Sequence, residues 1–297
     1  MTQLLNVSLG IMAYNEEANI GQLLQAVLNQ RFVTARLKEI FVVASGCTDR
    51  TEHIAQGFSE KDQRIKLLVQ DHREGKASAI NLFLSQASAD IYILESADTV
   101  PEEGALEKLI APFADKRVGM TGARPVPINT SKTFIGFAVN MMWSLHHKIA
   151  LVTPKLGELV AFRGFVRKIP HDTAVDEASI EAIVKRADYE LQYVPGAIVQ
   201  NKGPENVKDF LKQRRRIAAG HMHLARTQGH KVSTLSAWKI LGHLREEMNW
   251  KPKELLWTVG VVVLEVIGRL LGYYDFCFRK RNPYIWDMAA STKKLSQ

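Results

Sequence analysis

Residues 90–101 read DIYILESADTVP, a short apolar run that ends on small and acidic residues. The run has the length of a buried strand, and the residues that follow it are typical of a loop. In open sheets of parallel strands, ligands gather where the strands end. The stretch therefore predicts a strand over residues 90–95 and places Asp98 at the ligand-binding edge of a sheet.

Three earlier strands alternate with helices before this stretch. Apolar runs of strand length and apolar residues at helical spacing follow one another, which is typical of an α/β fold with a mostly parallel sheet flanked by helices. We expect strands at residues 7–13, 39–44 and 65–70, and helices at residues 16–29, 49–58 and 76–88. The loops after the strands should line one crevice, namely 14–17, 45–51, 71–76 and 96–101.

Beyond residue 101 the pattern is less regular. A stretch with prolines at 124–129 and a polar loop at 163–173 separate further elements. We expect helices at residues 134–152, 178–186 and 207–224, and a strand at 189–194. The composition changes after Gly229, so we expect one α/β domain over residues 1–229 and a C-terminal helical region over residues 230–297.

Composition and charge narrow the class of protein. Of the 297 residues, 46% are hydrophobic and 24% are charged, which suits a globular chain with a sizeable core. The net charge of +8 favours anionic partners such as nucleic acid, lipid head groups or substrate phosphates. The two cysteines match no metal spacing and the first residues lack a signal-peptide pattern, so we expect a cytoplasmic protein.

The C-terminal region contains an apolar stretch at residues 255–271, with aromatic residues at both ends. Its polar residues Thr258, Glu265 and Arg269 fall roughly on one helical face. Such a helix, followed by the basic cluster at residues 279–281, is typical of a membrane interface. A helix buried against the domain or in a dimer is the alternative, and both interpretations stay open.

Four segments resemble, in order and spacing, the nucleotide-binding half of family 2 glycosyltransferases, which have the GT-A (Rossmann-like) fold. They are residues 7–17 (VSLGIMAYNEE), 42–51 (VVASGCTDRT), 74–81 (EGKASAIN) and 94–101 (LESADTVP). The likeness continues through residues 176–177 (DE) and 213–216 (QRRR). It implies an inverting sugar transfer from a nucleotide-diphosphate donor, with UDP-sugars favoured and Mn²⁺ or Mg²⁺ as cofactor.

The resemblance assigns the early segments to the donor. It places beside the base and ribose Ala13, Tyr14, Glu16, Glu17, Ser45 and Asp49. Gly75 and Lys76 would approach the phosphates, because glycine allows close backbone contact and lysine contributes charge. A solvated lysine on a turn is the alternative for Lys76.

The metal motif of the family usually reads Asp-x-Asp, whereas this chain reads Ser96-Ala97-Asp98. The resemblance makes the retained Asp98 the metal ligand and puts Ser96 and Ala97 beside the donor. Mg²⁺ or Mn²⁺ would take few protein oxygens here, since the phosphates supply others. Capping of the next turn or helix is the alternative role for Asp98.

The paired carboxylates Asp176 and Glu177 match the position of the catalytic base in the family. The resemblance makes Glu177 the base that takes the acceptor's proton, with Asp176 in support. Capping of the following helix is the alternative. Gly157 and Glu158 resemble the segment near the donor sugar and the acceptor.

Gln213 and Arg216 resemble the Gln-x-x-Arg-Trp motif of membrane-embedded polysaccharide synthases, in which arginine meets the diphosphate. Ile217 stands in place of tryptophan, which favours a short, non-processive transfer because the stacking platform for a glycan is missing. We expect Arg214 and Arg215 to lie on a solvated basic face.

The implied acceptor is lipid-linked or a glycan, at the inner face of the cell membrane, and a homo-oligomer stays open. Two alternatives remain, a polyprenyl-phosphate sugar synthase and a non-catalytic nucleotide-sugar-binding protein. We do not expect nucleic acid as a partner, because it would explain the charge but not the acidic loop residues.

Overall fold

The computed structural model describes residues 4–229, 251–279, 290–292 and 295. The first elements in chain order are β1 (Leu5–Ala13), α1 (Ile20–Leu28), β2 (Ala35–Ser45), α2 (Thr51–Ser59), β3 (Ile65–Gln70), α3 (Lys76–Gln86), β4 (Ile91–Ser96), β5 (Thr99–Pro101) and α4 (Ala105–Ile110). After a 3-10 helix (Ala111–Ala114) come β6 (Val118–Pro127), α5 (Phe134–Val152), β7 (Val160–Arg163), α6 (Asp176–Arg186), β8 (Glu190–Asn201) and α7 (Val207–Gln228). The last described elements are α8 (Pro252–Cys277) and a 3-10 helix (Ala290–Thr292).

The eight strands that the structure describes form one mixed sheet in the order β3-β2-β1-β4-β7-β6-β8-β5. Strands β3, β2, β1 and β4 are parallel, as the alternating pattern predicts. β7 is antiparallel to β4 and β6, and β5 is antiparallel to β8. The parallel half brings the carboxyl ends of four strands to one edge, where the expected crevice lies.

Helices cover both faces of the sheet because its central strands are apolar on both sides. On one face, Leu9 of β1 and Leu23 of α1 are fully buried in the same cluster. On the other, Phe83 of α3 packs edge-on against Tyr92 of β4, with ring centroids 5.7 Å apart. Gly10 leaves room for this ring, because a Cβ there would lie 2.7 Å from Phe83. This packing fixes α3, and with it the helix N-terminus at the carboxyl edge.

The second half of the sheet departs from the sequence pattern. Strands β5, β6 and β7 are not predicted, and β6 contains two prolines, Pro125 and Pro127. Its ladder to β8 is parallel and shifts register between Gly122 and Arg124. These strands are held by partners that are distant in sequence, so local periodicity carries little signal for them. α6 begins at Asp176 rather than at residue 178, which puts both acidic residues in its first turn.

Helices α7 and α8 pack closely along each other. Gly272 of α8 makes the approach possible, because a Cβ there would lie 2.6 Å from the backbone oxygen of Arg215. Arg214 donates to Glu265 at 2.6 Å, and Arg215 pairs with Asp275. The expectation that Arg214 and Arg215 lie on a solvated face is therefore wrong, because α8 supplies a carboxylate to each.

α8 turns its polar stripe toward the protein and its apolar side outward. Thr258 is 6% exposed, whereas Val259, Val263 and Leu270 on the outer side are 51–62% exposed. At 26 residues, α8 is long and apolar enough to cross a membrane by length and composition alone. Residues 230–250 of the expected C-terminal region, and residues 280 and 281 of the basic cluster, lie outside the described residues.

Candidate active site

A cavity of about 950 Å³ opens at the carboxyl edge of the sheet. Strand ends, the N-termini of α3 and α6, and the sides of α5, α7 and α8 line it. Most of the residues singled out in the sequence line this one cavity: Ala13, Tyr14, Glu16, Ser45, Gly75, Lys76, Ser96, Asp98, Gly157, Glu158, Asp176, Glu177, Gln213 and Arg216.

Three of the singled-out residues lie outside the cavity lining. The Asp49 carboxylate accepts from the backbone N–H groups of Glu17 and Thr51, both at 3.0 Å, and Glu17 accepts from the N–H of Arg50 at 3.1 Å. Burial raises the pKa of Asp49, but these hydrogen bonds outweigh it and hold the pKa below its ordinary value. Ala97 is 2% exposed in the core. Glu17 and Asp49 thus tie the loop after β1 to the start of α2.

The end of the cavity next to β1 and β2 combines an aromatic ring, a cation and polar groups. The Arg73 guanidinium lies 4.0 Å from the centroid of the Tyr14 ring. Glu16 is 4% exposed and accepts from the Asn19 amide at 2.8 Å. The Ser45 hydroxyl is buried without a hydrogen-bond partner among the described residues. A flat ring beside a hydroxyl left unpaired among the described residues, that of Ser45, suits a nucleoside.

Lys76 occupies the centre of the site at the first position of α3. Gly75 before it has a φ of +96°, a conformation that favours glycine. The Lys76 Nζ lies 2.8 Å from Glu177 Oε1, 3.2 Å from Ser96 Oγ and 4.0 Å from Asp176 Oδ2. Burial lowers the pKa of Lys76, but the charges of Glu177 and Asp176 outweigh this and raise it above its ordinary value. Lys76 is therefore a permanent cation and not a solvated turn residue.

The pKa values of Asp176 and Glu177 are shifted in opposite directions although the two residues are neighbours. Burial raises the pKa of Asp176 to about 7, and its Oδ1 has no hydrogen-bond partner among the described residues. Burial also acts on Glu177, but the adjacent Lys76 charge outweighs it and holds the pKa of Glu177 below its ordinary value. Glu177 is thus the ionised carboxylate of the pair at neutral pH.

A second group of carboxylates lies around Asp98. Burial, followed by the charge of Asp98, raises the pKa of Glu158 to about 7, and Glu158 has an unusual φ of +61° for a non-glycine residue. Glu95 is 1% exposed, and burial raises its pKa to about 8. Asp98 makes no hydrogen bond within the described part of the chain, so a capping role is not observed. This cluster of carboxyl groups suits a cation.

Asp98 and Glu158 fit a divalent cation only in part. No three His, Cys, Asp or Glu side chains among the described residues are placed to hold a metal ion by themselves. Mg²⁺ and Mn²⁺ accept phosphate oxygens alongside few protein ligands, so a donor with two phosphates would complete the coordination. The site therefore fits a cation that binds together with an anionic ligand.

Arg216 of α7 faces this acidic group. Burial lowers its pKa to about 10, while the charges of Asp176, Glu158 and Glu177 oppose that change. The guanidinium consequently stays charged at neutral pH and can contact phosphate oxygens. Gln213 and Ile217 line the cavity on the same helix.

The lining also contains residues that were not singled out in the sequence, among them Arg73, Trp143 and Lys155. Arg73 belongs to the loop at residues 71–76, which was expected to line the crevice, so the sequence pattern indicated its position. Lys155 and Trp143 belong to no motif. Their role depends on how α5 and the segment after it are placed, which the local sequence does not reveal.

Comparison with known proteins agrees with this architecture. Residues 8–171 match the family model described as Glycosyl transferase family 2. A probable glycosyltransferase, YdaM of Bacillus subtilis, is 29% identical over 242 residues, which are 75% of this chain and 57% of that protein. The poly-beta-1,6-N-acetyl-D-glucosamine synthase of Staphylococcus epidermidis is 25% identical over 255 residues, 80% of this chain and 58% of the synthase. The chain thus spans less than two thirds of these relatives.

Solved structures share the fold at low sequence identity. The mannosyltransferase PcManGT of Pyrobaculum calidifontis, solved with GDP-Man and Mn²⁺, superposes with a TM-score of 0.61 at 20% identity, covering 95% of this chain and 83% of that one. The glucosyl-3-phosphoglycerate synthase of Mycobacterium tuberculosis, solved with Mn²⁺, UDP and phosphoglyceric acid, has a TM-score of 0.54 at 18% identity, covering 77% and 80%. The mixed sheet with its flanking helices accordingly has the GT-A arrangement.

Proposed function

The chain belongs to glycosyl transferase family 2, and from that premise we propose that it transfers a sugar from a nucleotide-diphosphate donor to an acceptor with inversion. The observation that carries the proposal is that Lys76, Asp98 and Glu177 line one cavity, in which Lys76 forms an ion pair with Glu177. They come from three distant segments and supply a cation for phosphate, a metal ligand and an ionised base.

The donor is proposed to lie with its nucleoside against Tyr14 and Ser45 and its diphosphate near Lys76 and Arg216. Both cations line the cavity and both lie, partly exposed, among carboxylates, so an anionic ligand would gain two strong, charge-assisted partners. UDP-sugars are the first expectation for the base. GDP-sugars belong in the same test, because PcManGT was solved with GDP-Man and the synthase of M. tuberculosis with UDP.

Asp98 and Glu158 are the residues proposed to hold Mn²⁺ or Mg²⁺. The support is the cluster of carboxyl groups at this position, where burial and the Asp98 charge raise the pKa of Glu158 to about 7. A bound divalent cation would offset the charge of the diphosphate and of these carboxylates. Ser96, which replaces the usual first aspartate, lies 3.2 Å from Lys76 instead.

The transfer step is proposed to use Glu177 as general base. The acceptor hydroxyl oxygen forms a bond to the anomeric carbon while the bond from that carbon to the donor phosphate oxygen breaks. Glu177 takes the hydroxyl proton, and the nucleoside diphosphate leaves with the electron pair, where Arg216 stabilises its charge. Attack from the face opposite the leaving phosphate inverts the configuration. Asp176 supports the base by keeping Glu177 in position beside Lys76.

A single transfer is proposed rather than polymerisation. Ile217 lines the cavity where an aromatic platform would hold a growing glycan, and an aliphatic side chain offers no face on which a sugar can stack. The acceptor is proposed to be lipid-linked or membrane-proximal. The support is the outer side of α8, where apolar residues are exposed, which suits a chain bound at the inner face of the cell membrane.

A donor screen tests the proposal. UDP-, GDP- and CDP-sugars are added with Mn²⁺, with Mg²⁺ or with a chelator, and thermal stabilisation and donor hydrolysis are measured. We expect one nucleotide class to stabilise the protein only when the metal is present, and Asp98→Asn to remove the metal-dependent part. If no nucleotide sugar acts on the wild-type chain with either metal, the proposal fails.

A further inference from the structure

Part of the cavity lining is not assigned to the donor, and we call this part the arm. Apart from Gln213 and Arg216, the residues assigned to the donor lie at strand ends, in loops or at helix N-termini, whereas the arm is lined by other residues of α5, α7 and α8. Its walls include Met142 and Trp143 of α5 and Val262 and Val266 of α8. These side chains form an apolar surface whose contact with water is unfavourable, so an aliphatic molecule can bind against it.

Lys155 brings a charge into this arm without a partner to balance it. It belongs to the segment between α5 and β7, the same segment that places Glu158 near Asp98. Among the residues that the structure describes, its ammonium makes no hydrogen bond and no ion pair within 4.0 Å. Burial, followed by the charge of Arg214, lowers the pKa of Lys155 to about 8. An ammonium in this state gains from any anion that comes within reach.

The nearby carboxylates are already engaged. Glu265 accepts from Arg214 at 2.6 Å and from Arg269 at 2.8 Å. Glu181 accepts from the backbone N–H of Leu156 at 2.8 Å and is 2% exposed. The charges around Lys155 thus leave a local excess of positive charge beside an apolar wall.

The arm also opens toward the outside along α8. Val262 and Val266 line the arm, yet they are 41% and 50% exposed. They continue into the exposed apolar residues Val263 and Leu270 on the outer side of the helix. Apolar side chains therefore continue from the lining of the arm onto the outer surface of α8.

We propose that this arm binds the acceptor as an anionic amphiphile, with a phosphate or similar anion on Lys155 and an aliphatic chain along Trp143 and Val266. The inference rests on the proposed function, since it names the class of acceptor for that site. A free anion would leave the apolar wall uncovered, and a neutral lipid would leave the Lys155 charge uncompensated. Only a molecule with both parts matches both features of the arm.

Calorimetric titration of the full-length chain tests the assignment with three probes: dodecyl phosphate below its micelle concentration, the neutral dodecyl maltoside, and inorganic phosphate. We expect dodecyl phosphate to bind the wild type most tightly. Lys155→Ala should weaken it by roughly ten-fold or more, because a charge-assisted contact is lost, while Lys155→Arg should stay within about three-fold. Lys116→Ala, which removes an exposed lysine elsewhere, should change nothing.

Each outcome decides the proposal. Equal binding of dodecyl phosphate by the wild type and Lys155→Ala would overturn the anion site, and inorganic phosphate binding as tightly as dodecyl phosphate would overturn the amphiphile. Binding of UDP with Mn²⁺ to Lys155→Ala should match the wild type, because Lys155 forms no hydrogen bond or ion pair with the residues assigned to the donor among those that the structure describes. If the donor screen fails but dodecyl phosphate binding depends on Lys155, the proposed function is wrong and the assignment of an anionic amphiphile to the arm still holds.

Discussion

Lys76 Nζ lies 2.8 Å from Glu177 Oε1, so an ion pair joins the first residue of α3 to the first turn of α6 across 101 positions of sequence. The proposed phosphate ligand and the proposed base therefore hold each other when no donor is bound. Donor phosphates would compete with Glu177 for the ammonium. In the proposed mechanism, the pair would couple donor binding to the release of the Glu177 carboxylate.

Replacing Lys76 with glutamine should weaken the donor and change the pH dependence. We expect donor affinity to fall roughly ten-fold or more, because a charge-assisted contact is lost. Lys76 holds the pKa of Glu177 down, so in its absence that pKa rises and the acidic limb of kcat/KM moves to higher pH. Titration calorimetry and kcat/KM measured across pH check both effects.

A matched control is Lys66→Gln, which breaks another lysine–glutamate pair, because Lys66 lies 2.9 Å from Glu39. This pair lies toward the amino ends of β2 and β3, away from the cavity at the carboxyl ends. It should leave the donor affinity and the acidic limb unchanged. An acidic limb that stays in place in the Lys76 variant would contradict the coupling.

Glu177→Gln should separate binding from chemistry. The amide keeps the size of the side chain and cannot accept the proton, so we expect turnover to fall by roughly a hundred-fold or more, with donor affinity within about three-fold of wild type. Transfer rates and donor binding are measured on the same preparation. A comparable loss of binding would assign Glu177 a structural role instead. Asp176→Asn, the buried neighbour, should cost less turnover because it only supports the base.

The sequence predicted the parallel half of the sheet and most of the cavity lining. There, each strand and helix has its own local periodicity, and the loops after parallel strands must meet at one edge. Lys76 and Glu177 were both singled out, but their contact was not, because it depends on how α6 docks against α3. Tertiary placement decides such contacts.

The antiparallel half of the sheet and the contacts of α7 with α8 are less evident from the local sequence. β6 looks irregular because it contains Pro125 and Pro127, and its pairing with β8 and β7 supplies what local propensity lacks. Arg214 and Arg215 look like solvated residues because their carboxylate partners lie about fifty positions or more away on α8. Lys155 belongs to no motif, and only the cavity around it gives it a role.

Glu95→Gln should stabilise the fold more at high pH than at low pH. Burial raises the pKa of Glu95 from 4.5 to about 8, so the folded state keeps a proton that the unfolded state releases between these values. The wild type therefore loses stability as pH rises through this window, and glutamine does not. Urea unfolding is measured with a chelator at about pH 5 and about pH 9. The unfolding free energy of Glu95→Gln relative to the wild type should be higher at the upper pH by on the order of 1 kcal/mol or more.

Glu39→Gln is the control of opposite sign. Burial raises the pKa of Glu39, but hydrogen bonds from Ser8, Ser88 and Lys66 outweigh it and lower the pKa. Its contribution to stability is present above the ordinary pKa and is lost as pH falls through the folded value. Glu39→Gln should thus cost stability at neutral pH and less in acid. Parallel pH curves for the wild type and Glu95→Gln would contradict the buried neutral carboxyl.

Gly272→Leu should disrupt the packing of α8 on α7. Any side chain at this position meets the backbone oxygen of Arg215 at 2.6 Å and the Cβ of Ala218 at 2.7 Å. We expect a loss of roughly 1–3 kcal/mol in unfolding free energy, as for other overpacked sites. Gly57→Leu is the control, because nothing lies within 4 Å of a Cβ there. Thermal unfolding compares the two variants, and equal midpoints would argue against close α7–α8 packing.

The outer side of α8 should hold the protein at a membrane surface. Val263 and Leu270 are 51% and 62% exposed, and two glutamates at these positions would put carboxylates where lipid is expected. Charged groups are costly there and are repelled by anionic head groups, so Val263→Glu/Leu270→Glu should float with anionic vesicles several-fold less than wild type. Gln22→Glu/Gln86→Glu adds the same charge on exposed helical sites elsewhere and should float normally. Equal flotation of all three proteins would remove the membrane role, and a dimer in lipid-free sedimentation that only the α8 variant loses would assign this surface to a second copy of the chain.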